Sequence, residues 1–277
     1  MSKKPMDPKD MPTWQAFTKT LFRTEDADPG YIALARCGLP DDVRMRLIVG
    51  WVTFYNLGLA CNAAKFTGSK FWAYLRSVYP TAKRASERRH FRGKAGLKAL
   101  ADWERDYPRP ELMVERILKA SPDYTSVRNR VRPITQMGDY FVWKFCDLYD
   151  VMTKRHVDVT GCESYAPKTP QQGAKLISPN NTIAEAFAKI VAHARKIGLT
   201  APPHHNRPFD ANEAETVCCV YKQMAGGGYT WGLRTAKARN RILSADSGPI
   251  RTSLYSGLMA QSPWTDQELE AIFDKAH

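Results

Sequence analysis

Residues 138–152 read GDYFVWKFCDLYDVM, and their pattern decides the fold class. Phe141, Phe145 and Leu148 recur at helical spacing, and Gly138 stands just before the run as a start signal. A strong helix is therefore predicted over 140–152. Lys144 and Asp147 sit at i and i+3 and share one of its faces. Two charges on so apolar a helix call for a reason. One reading is a structural ion pair. The other is a catalytic pair in a cleft, where Asp147 takes a proton and Lys144 neutralises a leaving anion.

Working outward, the same period keeps returning. Trp14, Phe17, Leu21 and Phe22 lie on one helix face, and Phe71, Trp72, Leu75, Val78 and Tyr79 form another stripe, halted by Pro80. Further helices are predicted over 31–36, 43–64, 97–107, 110–120, 182–197, 212–224 and 265–275, with a helical run carrying Arg234, Lys237, Arg239 and Arg241 within 229–243. No series of alternating strands interrupts them, and no internal repeat is present. The expected fold is all-α, of one lobe or two. A flexible segment over 1–12 precedes a helical core over 13–157. A Pro-, Gly- and Ser-rich connector follows over 158–181, and helices over 182–277 complete the same domain.

The composition is that of a folded chain: 277 residues, 43% hydrophobic and 25% charged, which excludes collagen-like, coiled-coil and disordered classes. The 41 Lys and Arg exceed the 28 Asp and Glu to give a net charge of +13, which implies a polyanionic partner. The stretch 47–64 is uncharged but contains Thr53, Asn56 and Asn62, so it reads as a buried core helix and no membrane partner is expected. The N-terminus, MSKKPMDPKDMP, has no apolar core of a secretory signal, which places the protein in a cytoplasm. Cys37, Cys61, Cys146, Cys162, Cys218 and Cys219 include no C-x-x-C pair, so they read as buried free thiols, with no metal site and no cofactor expected.

Three segments are candidates for chemistry. The run 81–96, TAKRASERRHFRGKAG, crowds Arg88, Arg89, Arg92 and Lys94 around Glu87. Forked guanidiniums beside a glycine suit phosphate oxygens, although a solvated basic helix face has the same composition. Arg128, Arg130 and Arg132 lead into Gln136-Met137-Gly138 and a helix start, which is either a grip on a DNA backbone or an exposed loop. The third segment, 215–232, is a helix containing Glu215 and Lys222, then Gly226-Gly227-Gly228, Tyr229 and Trp231. Its glycines are either a helix stop or a hinge that lets the aromatics stack on a flipped base.

Taken together, ERRHFRGKAGL at 87–97, QMGDYFVWKFCDLYD at 136–150 and ETVCCVYKQMAGGGYTWG at 215–232 resemble the bacteriophage amino acid:DNA transferases, also called α-glutamyl/putrescinyl thymine pyrophosphorylases. The resemblance implies a helical fold akin to helix-hairpin-helix DNA glycosylases and a place in the cytoplasm of the infected bacterial host. It also implies a reaction in which an amino acid or amine replaces the pyrophosphate of 5-pyrophosphoryloxymethyluracil in double-stranded DNA, giving hypermodified thymine. On that reading Arg88, Arg89 and Arg92 hold pyrophosphate. Lys144, Asp147 and Glu87 are catalytic. Lys222, Tyr229 and Trp231 form the base pocket, and Arg128, Arg130 and Arg132 hold the DNA backbone. Glycine is the expected donor, because a small amino acid suits a glycine-rich turn. A DNA-binding protein without chemistry and a DNA glycosylase are the alternatives.

Overall fold

A computed structural model of the chain describes residues 5–7, 9–83, 91–205 and 207–276. Among them lie fifteen α-helices, a 3-10 turn at Glu163–Tyr165 and no strand beyond two isolated bridges, so the all-α expectation holds. The helix α1 (Trp14–Arg23) buries Phe17, Leu21 and Phe22, the stripe its spacing predicts. Pro29 opens α2 (Pro29–Arg36), and Asp28 at its cap position makes no capping bond to its own helix. That leaves the Asp28 carboxylate for partners elsewhere.

The long apolar stretch expected as one helix is two. The first, α3 (Asp41–Phe54), stops where Tyr55 takes a left-handed φ of 55°. The second, α4 (Leu57–Ala64), starts behind Asn56, whose side chain accepts from the N–H groups of Gly58 and Leu59. Among the described residues no helix is long and apolar enough to cross a membrane. Next come α5 (Gly68–Val78), α6 (Gly93–Asp106) and α7 (Glu111–Leu118), which bury Trp72 and Trp103. The arginine-bearing segment before the expected hairpin is itself helical, as α8 (Tyr124–Val131), with Asp123 capping it through the Ser126 N–H at 2.8 Å. After seven intervening residues α9 (Asp139–Thr153) begins, and it is buried on nearly every side. That burial explains why its sequence is apolar well beyond a single stripe.

The expected connector contains α10 (Lys168–Ile177). That helix is held flat against α12 (Ala211–Ala225) at Gly173, where a Cβ would stand 1.9 Å from the Cys218 carbonyl oxygen. Between them in sequence, α11 (Ile183–Lys196) starts with a Thr182–Glu185 capping box. The last three helices are α13 (Leu233–Leu243), α14 (Pro249–Met259) and α15 (Asp266–Ala276). Gly58 of α4 meets α13 in the same way as Gly173 meets α12, its would-be Cβ lying 2.2 Å from the Arg241 carbonyl oxygen. A single apolar cluster takes in buried side chains from α1 through α14.

The start of α13 is fixed from outside its own segment. Gly232 at its cap position brings no side chain, and Asp26, fully buried, does the work instead. Its two carboxylate oxygens accept from the N–H groups of Gly232 (3.0 Å) and Thr235 (2.7 Å), the Thr235 hydroxyl (2.7 Å) and the Tyr229 hydroxyl (2.6 Å). A buried carboxylate with four donors at a helix N-terminus is a structural fixture. Two residues on, Asp28 is thereby delivered to the face where α2, α9, α12 and α13 converge.

Candidate active site

The Lys144–Asp147 pair predicted from spacing is present, and a third side chain joins it from α12. The Lys144 ammonium lies 3.6 Å from an Asp147 oxygen and 3.9 Å from a Glu215 oxygen, distances of an ion pair rather than of hydrogen bonds. It also sits 5.8 Å from the ring centres of both Tyr31 and Tyr140. Burial opposes its charge, but Glu215, Tyr55, Asp147 and Asp28 outweigh that effect and hold the ammonium well above the ordinary lysine range. Lys144 is thus charged at every working pH.

Burial acts in the opposite sense on the carboxylates. It pushes Asp147 up to about 7, with Lys144 only partly restoring the charged form. Glu215 is raised for the same reason and against the same lysine. Asp147 is 20% exposed, so it is the member of the pair that a solute can reach. A carboxylate that titrates near neutrality, beside a fixed cation and with an accessible edge, has the properties of a general base.

Asp28 completes the group. It accepts from the Thr216 hydroxyl at 2.8 Å and from an Arg234 guanidinium nitrogen at 3.0 Å, so it ties α12 to α13. Asp28 and Tyr31 together form a wall with space on both sides. On one side lies a cavity of about 390 Å³, within the range that holds small ligands. Its cationic face is Arg234, Lys237 and Arg241, spaced i, i+3 and i+7 along α13. Its aromatic face is Tyr31, Trp51 and Tyr55, with the rings of Trp51 and Tyr55 stacked at 4.7 Å. The left-handed backbone at Tyr55 is what turns its ring into that stack at the end of α3. On the other side of the wall is a smaller chamber reached by Asp147.

The remaining predicted residues fall in several places. Tyr229 is 3% exposed and bonded to Asp26, so its ring is part of the core; the aromatic face of the cavity comes from Trp51 and Tyr55, which the sequence reading did not select. Trp231 packs beside Phe17 and Tyr229. Lys222 is half-buried near the end of α12 and lines neither space. Arg128 and Arg132 flank Asp139 at the start of α9, at 3.5 and 3.6 Å, and Arg130 is exposed beside them. Arg128 and Arg132 thus meet at the turn between α8 and α9, while Arg130, two residues from each, leaves α8 on another side. Arg92 is exposed at the cap of α6, while Glu87, Arg88 and Arg89 lie outside the described residues. Among the described residues no three His, Cys, Asp or Glu side chains are grouped to hold a metal ion.

Residues 9–229 match the family described as "Amino acid:DNA transferase". The chain is 30% identical over 233 residues to a putrescinyltransferase of Delftia phage PhiW-14, covering 79% of this chain and 74% of that one. It is 25% identical over 251 residues to a glycinyltransferase of Pseudomonas phage PaMx11, covering 78% and 85%. The matched span contains Asp28, the α9 pair and the α12 glutamate, and a buried base beside a cationic cavity is a site suited to group transfer. The chain belongs to the amino acid:DNA transferase family, enzymes of phage DNA modification.

Proposed function

We propose that the protein joins an amine to the hydroxymethyl carbon of 5-pyrophosphoryloxymethyluracil in phage DNA and releases pyrophosphate. The observation that carries this reading is the juxtaposition across the Asp28–Tyr31 wall of a base titrating near 7 and a cavity with three cations on one helix face. The amine nitrogen forms its bond to the exocyclic carbon as the carbon–oxygen bond breaks. The electron pair leaves with pyrophosphate, and the proton shed by nitrogen passes to Asp147. Lys144 keeps Asp147 ionised enough to act and offsets negative charge as it develops.

Within this reading the modified base, flipped from the duplex, stacks on Tyr55, whose ring is backed by the buried Trp51, and its pyrophosphate faces Arg234, Lys237 and Arg241. Arg88, Arg89 and Arg92 add further charge for the same group, with Glu87 a second proton acceptor, while Arg128, Arg130 and Arg132 hold the duplex backbone. The two named relatives transfer a putrescinyl and a glycinyl group, so donors of both kinds occur among similar proteins. The argument for glycine from the Gly226–Gly228 turn does not carry over, because that turn lines neither space beside the wall. Incubation with pyrophosphoryloxymethyluracil DNA and a mixture of amines, followed by mass analysis of the nucleosides, tests the reading. An enlarged nucleoside with stoichiometric pyrophosphate is expected. Abasic sites would identify a glycosylase, and unchanged nucleosides with tight DNA binding would identify a binder.

A further inference from the structure

Tyr165, on the 3-10 turn Glu163–Tyr165, is 46% exposed, yet its ring is held in place. It stacks on the buried Tyr124 of α8, with ring centres 5.6 Å apart and planes within 18° of parallel, and the Arg128 guanidinium carbon lies 5.7 Å from its centre. Tyr124 and Arg128 are i and i+4 on α8, so a single face of that helix fixes the ring. One exposed tyrosine is ordinary on a protein surface. A ring ordered in advance on an exposed turn is suited to binding, because it has little freedom left to lose when a partner arrives.

The surroundings of the ring suit a polyanion. Arg128 and Arg132 meet at Asp139, at 3.5 and 3.6 Å, too far for close hydrogen bonds, and Lys168 is exposed three residues past Tyr165 at the start of α10. Glu163, the acid of the same turn, is occupied with the Gly161 N–H at 3.1 Å. In the other direction the chain runs four residues from Tyr165 to Thr169, which lines the same cavity as Arg234, Lys237 and Arg241. Four residues span at most about 14 Å. That reach is close to the ~12 Å width of a DNA major groove, so a duplex gripped at Arg128 and Arg132 with one base in the cavity brings its opened base step to the ring.

We propose that the Tyr165 ring enters the duplex as a wedge and fills the place left in the base stack when a nucleotide turns into the cavity beside α13. The proposal rests on the reading that a base is drawn from duplex DNA into that cavity, but gap filling can be measured without turnover. The probe is a duplex with one tetrahydrofuran abasic site, compared with the same duplex intact, in anisotropy binding to the full chain. The parent should bind the gapped duplex about tenfold or more tighter, as the stacking of one base on one ring provides. Tyr165→Ala should bring the two affinities together, and Tyr165→Phe should keep them apart, since stacking needs the ring and not the hydroxyl. Arg132→Ala should weaken both duplexes alike, which separates the grip on the backbone from the wedge. No preference for the gap in the parent, or a preference that survives Tyr165→Ala, overturns the wedge. In single-turnover transfer, Tyr165→Ala should slow reaction on duplex substrate about tenfold or more and leave reaction on the same strand without its complement, which has no pair to open, near that of the parent. Equal slowing on both overturns the wedge as well. A gap preference that depends on Tyr165, with no group transferred to any substrate, would sustain the wedge and overturn the transferase reading instead.

Discussion

Two cations largely shielded from solvent are held in opposite ways. Arg207 spends its whole fork on Asp150, Asp210 and Glu213 at 2.8–3.4 Å. Lys144 has carboxylates only at 3.6 and 3.9 Å and two tyrosine rings beyond them. Both are charged and both are shielded from solvent, so burial does not separate them. Geometry does: a cation whose donors are all used can only hold the fold, whereas one placed between carboxylates without bonding them closely can answer a charge that appears beside it.

The contrast breaks most decisively at Asp147. Asp147→Asn keeps the shape and removes the base, and transfer should fall by about a hundred- to ten-thousandfold. Its melting temperature should stay near that of the parent. A large fall in melting temperature with activity retained in the folded fraction would move the Lys144 pair to the structural side of the comparison.

The converse substitution is Arg207→Met. It strands Asp150 and Glu213 in the interior and should cost about 3 to 5 kcal/mol of stability in denaturant unfolding. Lys144→Met, which leaves carboxylates that can protonate, should cost visibly less. Equal losses would erase the distinction drawn here.

A pH profile sharpens the same point. Asp147 sits near 7, raised by burial and partly brought back by Lys144. As a base it must be ionised, so the rate should climb through about pH 7 and level above it. In Lys144→Met the cation that favours the ionised form is gone, so the rise should move to higher pH. Because the folded-state value lies above the unfolded one, the stability due to this group is complete below the unfolded pKa and diminishes as pH rises through about 7. An acid limb unmoved by the substitution would assign it to another group.

The smallest effect is expected at the surface. Arg130, exposed between Arg128 and Arg132, should contribute one phosphate contact. Arg130→Ala should lower DNA affinity slightly and reduce the salt slope by about one, with kcat unchanged. A loss of kcat would bring the α8–α9 turn into the chemistry.

Sequence alone reached α9 and its Lys144–Asp147 pair because both facts are local: an apolar period and an i, i+3 spacing. It quoted Glu215 without giving it a role, since nothing along α12 says which helix it will face. Asp28 and Arg234, bonded at 3.0 Å across 206 positions, were out of reach of any local pattern. Sequence places the α13 cations on one helical run without giving them a site, and the Asn56 that splits 43–64 is a local cap signal of the kind that starts a helix. Tyr229 misled for a physical reason, because an aromatic after a glycine turn has the same local appearance whether its ring stacks on a ligand or anchors a buried carboxylate. The helix α10 was hidden by Pro170, Gly173 and a polar composition, features that mark a loop until the opposing helix is known.

Those glycines carry a consequence for how such an enzyme diversifies. At Gly173 and Gly58 one main chain rests directly on another, so the positions of α12 and α13 relative to their neighbours do not depend on the size of any side chain in the contact. The scaffold and the wall chemistry are therefore separable. Side chains facing the two cavities can change without moving the helices that carry them, so the lining of either space can be rebuilt on an unaltered frame.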